Sequence, residues 1–134
     1  MNPSTFKIYN ASAGSGKTYT LVKEYLKALF KSPYNDAYKN ALAITFTNKA
    51  VGEMKERIIE RLIEFSEDSM LTNPSTMFVD LCKELKIEDA FLHKKSKKIL
   101  QSIIHNYAAF EVSTIDKFTQ KLIRTFAFDL NSFF

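Results

Sequence analysis

A glycine-containing loop between an apolar run and a helix-patterned segment constrains this chain more than any other feature. The strand-like run Phe6–Asn10 precedes Ala11-Ser12-Ala13-Gly14-Ser15-Gly16-Lys17-Thr18, which contains two of the 3 glycines. Glycine lets the backbone turn tightly and present N–H groups to phosphate oxygens, and a helix starting there points its positive dipole end at the anion. Strand, loop and helix in this order predict a phosphate-binding P-loop.

In this interpretation the segment from Ala11 to Thr18 binds a nucleotide. Lys17 reaches the β- and γ-phosphates and the Thr18 hydroxyl holds Mg²⁺, which makes these two the catalytic candidates. The strict pattern begins with glycine, whereas this chain has Ala11, and one methyl group at the corner leaves the Gly-x-Gly-Lys-Thr end intact. The alternative is a Gly/Ser turn before a helix capped by a hydroxyl.

Composition indicates one globular domain. The chain has 134 residues, of which 46% are hydrophobic and 25% charged, and its net charge of +4 permits an anionic partner. The single cysteine, Cys82, excludes an internal disulfide, and its spacing indicates a core position. We therefore expect a reducing, cytoplasmic location. No stretch approaches the roughly 20 apolar residues of a membrane span, so no membrane partner is expected.

Hydrophobic periodicity predicts alternating helices and strands in the first half. One helix follows the loop to about Lys31, a buried strand covers residues 41–46, and a second helix covers residues 48–65. The two apolar stripes contain Tyr19, Val22, Tyr25, Leu26 and Leu29, and Val51, Met54, Ile58, Leu62 and Phe65. This order predicts an α/β fold with a parallel sheet covered by helices.

The second half begins with a helical insertion. Residues 77–85 and 99–107 have helical spacing, residues 110–113 predict a third strand, and Ile115–Ala127 predicts a helix. The last helix is expected to turn Phe118, Leu122, Ile123 and Phe126 inward. Three strands make a small sheet, one edge of which is open to pairing with other chains. We expect the chain to form only part of a larger fold.

Two further motifs resemble those of a known family. The segment Ile44–Ala50, continued by Glu53-Met54, resembles motif Ia of superfamily 1A DNA helicases of the UvrD, Rep and RecB type. The loop with Tyr19-Thr20-Leu21 is similar to the RecB and AddA branch, the motor subunits of helicase-nuclease complexes. Ser113–Phe118 lies where motif Ib lies, with Asp116 where UvrD-like members have histidine.

The resemblance implies the N-terminal part of a helicase ATP-binding domain. Its fold would be a partial RecA-like P-loop NTPase, domain 1A with part of domain 1B. Residues 1–66 would carry the P-loop and motif Ia, residues 67–109 the helical insertion, and residues 110–134 the motif Ib strand and helix. The implied cofactors are ATP and Mg²⁺, and the implied partners are single-stranded DNA and other subunits of a helicase-nuclease complex.

Parts of the family pattern are unmatched. Family members hold Mg²⁺ with a DE-type motif II and supply arginines from a second RecA-like domain, and neither is found here. The segment most similar to motif II ends at Asp80, but Leu81 follows where the second acidic residue of that motif would be. The alternative is that Asp80 is a solvated helix residue. No glutamine precedes the loop to read adenine. Whether this chain alone is an enzyme is left open.

The strand-to-helix corners are the candidate DNA site, because backbone phosphates and stacked bases need hydroxyls, N–H groups and aromatic rings. The candidates are Phe46, Thr47, Asn48, Lys49, Thr114 and Lys117. Alternatively Phe46 is a core residue and Thr47 and Asn48 are helix N-caps. The cluster from His93 to Lys98 either contacts phosphates or forms a solvated helix start, and His105 is expected to be partly buried.

A second hypothesis belongs to another class of function. The chain would be a non-catalytic module, derived from a helicase fragment, that binds nucleic acid or a partner protein through its open sheet edge. A small-molecule P-loop kinase is a third hypothesis, although such an enzyme does not need the signature from Thr45 to Ala50.

Overall fold

The structure is a computed structural model that describes residues 16–131, with side chains described from residue 18. The predicted strand Phe6–Asn10 and the loop residues Ala11 to Ser15 lie outside the described residues. The elements are α1 Gly16–Lys31, β1 Ala43–Thr45, α2 Asn48–Phe65, α3 Thr76–Leu85, α4 Asp89–His105, β2 Val112–Thr114 and α5 Ile115–Asn131. Short 3-10 helices cover Ala37–Asn40, Asp68–Leu71 and Tyr107–Ala109.

The two described strands pair in parallel, as the sequence predicted. Ala43 lies opposite Val112, Ile44 opposite Ser113 and Thr45 opposite Thr114. Parallel strands need a long crossover, which helices α2, α3 and α4 provide here. The first and last residues of each strand are buried, whereas the middle residues are half-buried on the other face.

Strand β1 is shorter than the predicted span of residues 41–46. Its start is limited because the N–H of Ala41 donates to Tyr38 and closes the preceding 3-10 helix. Its end is limited because the chain leaves the sheet at Phe46 and enters α2 two residues later. The turn residues on both sides therefore take up part of the apolar run.

The core lies where the apolar stripes of the helices meet one face of the sheet. Spacing of three and four residues puts each helix's apolar side chains on one face. Phe65 is fully buried, and its ring meets Phe78 edge-on at 5.4 Å between centroids. Cys82 is buried, as predicted. The other core residues include Leu26, Leu29, Ile58, Leu62, Leu81, Leu92, Ile99, Ile103 and Phe110.

The cluster from His93 to Lys98 does not form a solvated helix start. Helix α4 begins at Asp89, so the cluster occupies its second and third turns, and Lys95 and His93 point inward. The Lys95 ammonium donates to the carbonyl oxygen of Ser32 at 2.6 Å, and burial lowers its pKa. The Nδ1 of His93 lies 2.9 Å from the carbonyl oxygen of Phe65. These bonds connect α4 to the ends of α1 and α2.

Helix α5 corrects another prediction. None of its residues is buried, and Leu122, Ile123 and Phe126 are 53%, 61% and 66% exposed instead of facing inward. Phe118 is half-buried. Periodicity shows that a helix has an apolar face, but it does not show what covers that face. His105, at the end of α4, is exposed rather than partly buried.

Within residues 16–131, no helix combines the length and the hydropathy needed to cross a lipid bilayer.

Replacement of Phe65 by alanine tests the core. Phe65→Ala should lower the free energy of unfolding by about 3–5 kcal/mol, because it removes a fully buried ring and leaves a cavity. Urea denaturation measures this loss. The matched control is Phe128→Ala, which removes a ring that is 74% exposed and should change stability by less than about 0.5 kcal/mol. Equal losses for the two variants would contradict the packing described.

Candidate functional site

The first strand-to-helix corner is built around two threonines. Thr45 ends β1, and its hydroxyl donates to the carbonyl oxygen of Thr47 at 3.3 Å. The Thr47 side-chain oxygen accepts from the backbone N–H of Ala50 at 3.0 Å, which makes Thr47 the N-cap of α2. The alternative interpretation of Thr47 as an N-cap is therefore confirmed. Asn48 is the first helical residue instead of a cap.

The second corner repeats this arrangement. Thr114 ends β2 and α5 begins at the next residue. The Thr114 side-chain oxygen accepts from the backbone N–H of Lys117 at 3.2 Å, and Thr114 is only 6% exposed. Each corner thus uses a threonine to hold the first turn of its helix.

The parallel register brings the two corners together. Because Thr45 lies opposite Thr114, the turns that follow them open on the same edge of the sheet. Phe46 is 57% exposed at this edge, so its interpretation as a core residue is wrong. The first turns of α2 and α5 also expose polar side chains at this edge, namely those of Asn48, Lys49, Asp116 and Lys117.

The electrostatics of this edge favour an anion. Helices α2 and α5 both start here, and a helix N-terminus carries about half a positive charge. The first turn of α2 contains no acidic residue, and the first turn of α5 contains one, Asp116. Lys49 and Lys117 add two cations.

Helix α1 begins inside the predicted phosphate-binding segment. Its first residues are Gly16, Lys17 and Thr18, so the last three residues of the predicted phosphate-binding segment are helical. Thr18 is half-buried, whereas the side chain of Lys17 lies outside the described part. Of the predicted phosphate ligands, the structure therefore describes the side chain of Thr18.

A cleft of about 290 Å³ lies between the first turns of α1 and the helices α2 and α3. Thr18 and Tyr19 line it on one side, and residues of α2 line it on the other. Val22 and Met77 contribute apolar surface. The remaining lining residues are Arg57, Glu60, Arg61 and Glu64. Sequence reasoning missed this cleft, although arginines four residues apart on one helix are a signal that they share a face.

Polar contacts fix the positions of several side chains that line the cleft. The Arg61 guanidinium lies 6.0 Å from the centre of the Tyr19 ring, and its Nη1 lies 3.0 Å from a Glu64 carboxylate oxygen. The Tyr19 hydroxyl donates to Asp80 on α3 at 3.4 Å. Burial raises the pKa of Tyr19, and the Asp80 carboxylate acts in the same direction. Asp80 lies within a helix, whereas the carboxylate of a motif II would follow a strand.

A second pair ties α1 to α3 one turn further on. The Lys23 ammonium lies 3.1 Å from the Glu84 carboxylate, and Lys27 lies 3.8 Å from it. The hydrogen bond from Lys23 lowers the pKa of Glu84 and raises the pKa of Lys23. The helix that begins in the predicted phosphate loop is thus fixed against α3 along its first three turns.

Comparison with known proteins shows the family of this chain. Residues 4–133 match the family model of the UvrD/REP helicase N-terminal domain. The chain is 33% identical over 123 residues to an ATP-dependent helicase/nuclease subunit of Streptococcus suis, covering 92% of this chain and 8% of that protein. It is 28% identical over 147 residues to RecBCD enzyme subunit RecB of Haemophilus influenzae, covering 96% and 12%.

A third relative is an ATP-dependent helicase/nuclease subunit of Listeria monocytogenes, 33% identical over 119 residues, with 89% of this chain and 8% of that protein covered. The chain therefore spans a small part of the curated relatives it matches. No solved structure matches it significantly. On the family match over nearly its whole length, the chain belongs to the UvrD/REP helicase N-terminal domain family.

Proposed function

We propose that this chain is the N-terminal ATP-binding segment of an ATP-dependent DNA helicase motor of the helicase-nuclease type. One observation carries the proposal: the parallel pairing of β1 and β2 puts the corners after Thr45 and Thr114 on one edge, beside two helix N-termini. Such an edge is the usual ligand side of an α/β sheet. The finer fold is proposed to be a partial RecA-like sheet, to which residues 6–10 add a strand.

The proposed nucleotide site is the segment from Ala11 to Thr18. Small residues allow backbone N–H groups to approach phosphates, and α1 directs its positive end at them. Lys17 would bind the β- and γ-phosphates, and the Thr18 hydroxyl would hold Mg²⁺. The half-buried position of Thr18 beside a polar cleft fits this role. When bound, Mg²⁺ neutralises charge on the phosphate oxygens.

The proposed DNA site is the shared edge of the two corners. The exposed Phe46 ring would stack on a base, which is a contact that does not depend on sequence. Phosphates would contact Asn48, Lys49 and Lys117 and the N–H groups of the two helix starts. Thr47 and Thr114 would act within these corners, where their oxygens hold the backbone N–H groups of Ala50 and Lys117.

The activity and partners of a whole motor are part of the proposal. Hydrolysis would need a motif II and a second RecA-like domain, so this chain alone should bind nucleotide and hydrolyse it hardly at all. Relatives that are named as subunits of a helicase/nuclease or of RecBCD support partner subunits for this chain. A cytoplasmic location is part of the same proposal. Residues 1–66 and 110–134 would belong to domain 1A and residues 67–109 to part of domain 1B.

Nucleotide binding is tested with Lys17→Ala. The variant should bind Mg·ATP at least tenfold more weakly, because a charge-assisted hydrogen bond contributes about 1.5–3 kcal/mol. Titration with fluorescently labelled ATP measures the affinity. Lys31→Ala, at the other end of α1, is the matched control and should bind as the wild type does. Unchanged binding by Lys17→Ala would remove the nucleotide site from the proposal.

DNA binding is tested with Phe46→Ala. Loss of one base-stacking contact should weaken binding of oligo(dT) by about 5-fold to 150-fold, given about 1–3 kcal/mol per stacked base. Phe128→Ala, which removes a more exposed phenylalanine at the far end of α5, should leave the affinity unchanged. Fluorescence anisotropy measures both. Equal affinities of wild type and Phe46→Ala would refute the stacking role.

The same titrations separate the two hypotheses about function. A motor segment should bind oligo(dT) with an affinity that changes when Mg·ATP is added. Binding that is indifferent to Mg·ATP would favour the non-catalytic nucleic-acid-binding module.

A further inference from the structure

The cleft beside Thr18 contains a cation that forms no ion pair within residues 18–131. Arg61 is held in place, because its guanidinium pairs with Glu64 and lies over the Tyr19 ring. Arg57 lies one turn earlier on α2 and lines the same cleft. Its side chain is exposed, and within residues 18–131 it pairs with no carboxylate. Among the described residues, Arg57 therefore has no ion pair to break before it binds an anion.

The position of Arg57 points to the phosphate tail of the nucleotide. Thr18 lines the same cleft, and in a P-loop this hydroxyl would hold the Mg²⁺ that accompanies the nucleotide. Because Arg57 and Thr18 line the same cleft, we expect the Arg57 guanidinium to be on the side of a bound nucleotide that carries the metal and the terminal phosphate. Arginine is well suited to bind a phosphate there, because its planar guanidinium can donate two parallel hydrogen bonds to phosphate oxygens.

We propose that Arg57 is a phosphate-binding residue of this chain, whose guanidinium binds the terminal phosphate of the nucleotide that Thr18 holds through Mg²⁺. The inference rests on the proposed nucleotide site and goes beyond it, because it assigns a phosphate contact to helix α2. The first domain would then supply an arginine of its own to the nucleotide.

The carboxylates of the cleft make the contact selective. Glu60 and Glu64 also line it, and one oxygen of Glu64 is buried without a hydrogen-bond partner. These charges repel a bare triphosphate, whereas a triphosphate neutralised by Mg²⁺ meets less repulsion. The cleft should therefore bind Mg·ATP in preference to ATP in the presence of a chelator. Neutralising Glu60 should strengthen the binding of either form.

The experiment compares Arg57→Gln with wild type in titrations with Mg·ATP, Mg·ADP and magnesium tripolyphosphate, which has the phosphate tail without the nucleoside. We expect Arg57→Gln to weaken the binding of Mg·ATP and of tripolyphosphate by about tenfold, and the binding of Mg·ADP by less than threefold. Arg124→Gln on the exposed face of α5 is the matched control and should bind all three as wild type does. Glu60→Gln should bind Mg·ATP more tightly than wild type does.

Two results would overturn the inference. In the first, Arg57→Gln binds Mg·ATP as tightly as wild type does. In the second, the variant binds Mg·ATP more weakly but binds tripolyphosphate with unchanged affinity, which would place Arg57 at the nucleoside. If Lys17→Ala loses binding and Arg57→Gln does not, only this inference fails. If the wild type does not bind Mg·ATP, the proposed nucleotide site fails as well. An unchanged melting temperature of Arg57→Gln shows that the variant is folded.

Discussion

The parallel pairing of β1 and β2 is the constraint on which the candidate DNA site depends. A parallel pair cannot be closed by a tight turn, so the chain between the strands forms the helices α2, α3 and α4 before it returns. Both strands consequently leave the sheet at the same edge, and each is followed by a helix capped by a threonine. A shift of the register by one residue would move Thr114 to the other face and separate the two corners.

Helix α2 connects the two halves of the proposed site. It starts at the corner that exposes Phe46, and it carries Arg57 and Arg61 into the cleft beside Thr18. Thr47 and Arg57 are separated by about 15 Å along the helix axis, given a rise of about 1.5 Å per residue. Its buried stripe fixes the helix against the core through Ile58, Leu62 and Phe65. One helix thus lies between the proposed DNA edge and the proposed nucleotide cleft.

Much of this arrangement could be predicted from the sequence. The apolar stripe in α2 predicted the bounds of that helix, Asn48 and Phe65. The alternation of strands and helices predicted the parallel pairing. These features depend on local spacing, which a sequence displays directly. The predicted roles of Lys17, Phe46 and Lys117 remain predictions, since no structural observation tests them.

Other features depend on tertiary contacts that spacing does not reveal. Lys95 is buried because its ammonium reaches the carbonyl oxygen of Ser32, far away in sequence. The apolar face of α5 is exposed because no described element covers it, although its spacing matches that of a core helix. The cleft beside Thr18 requires α1, α2 and α3 to meet, and sequence alone does not give the place where three helices come together.

The central claim is that the two corners form one binding surface. The most direct measurement is a titration of isotopically labelled protein with oligo(dT), followed by NMR of the backbone amides. We expect the amides of Thr47 to Ala50 and those of Ile115 to Lys117 to shift together with a single dissociation constant. Shifts confined to one corner, or two different dissociation constants, would contradict it.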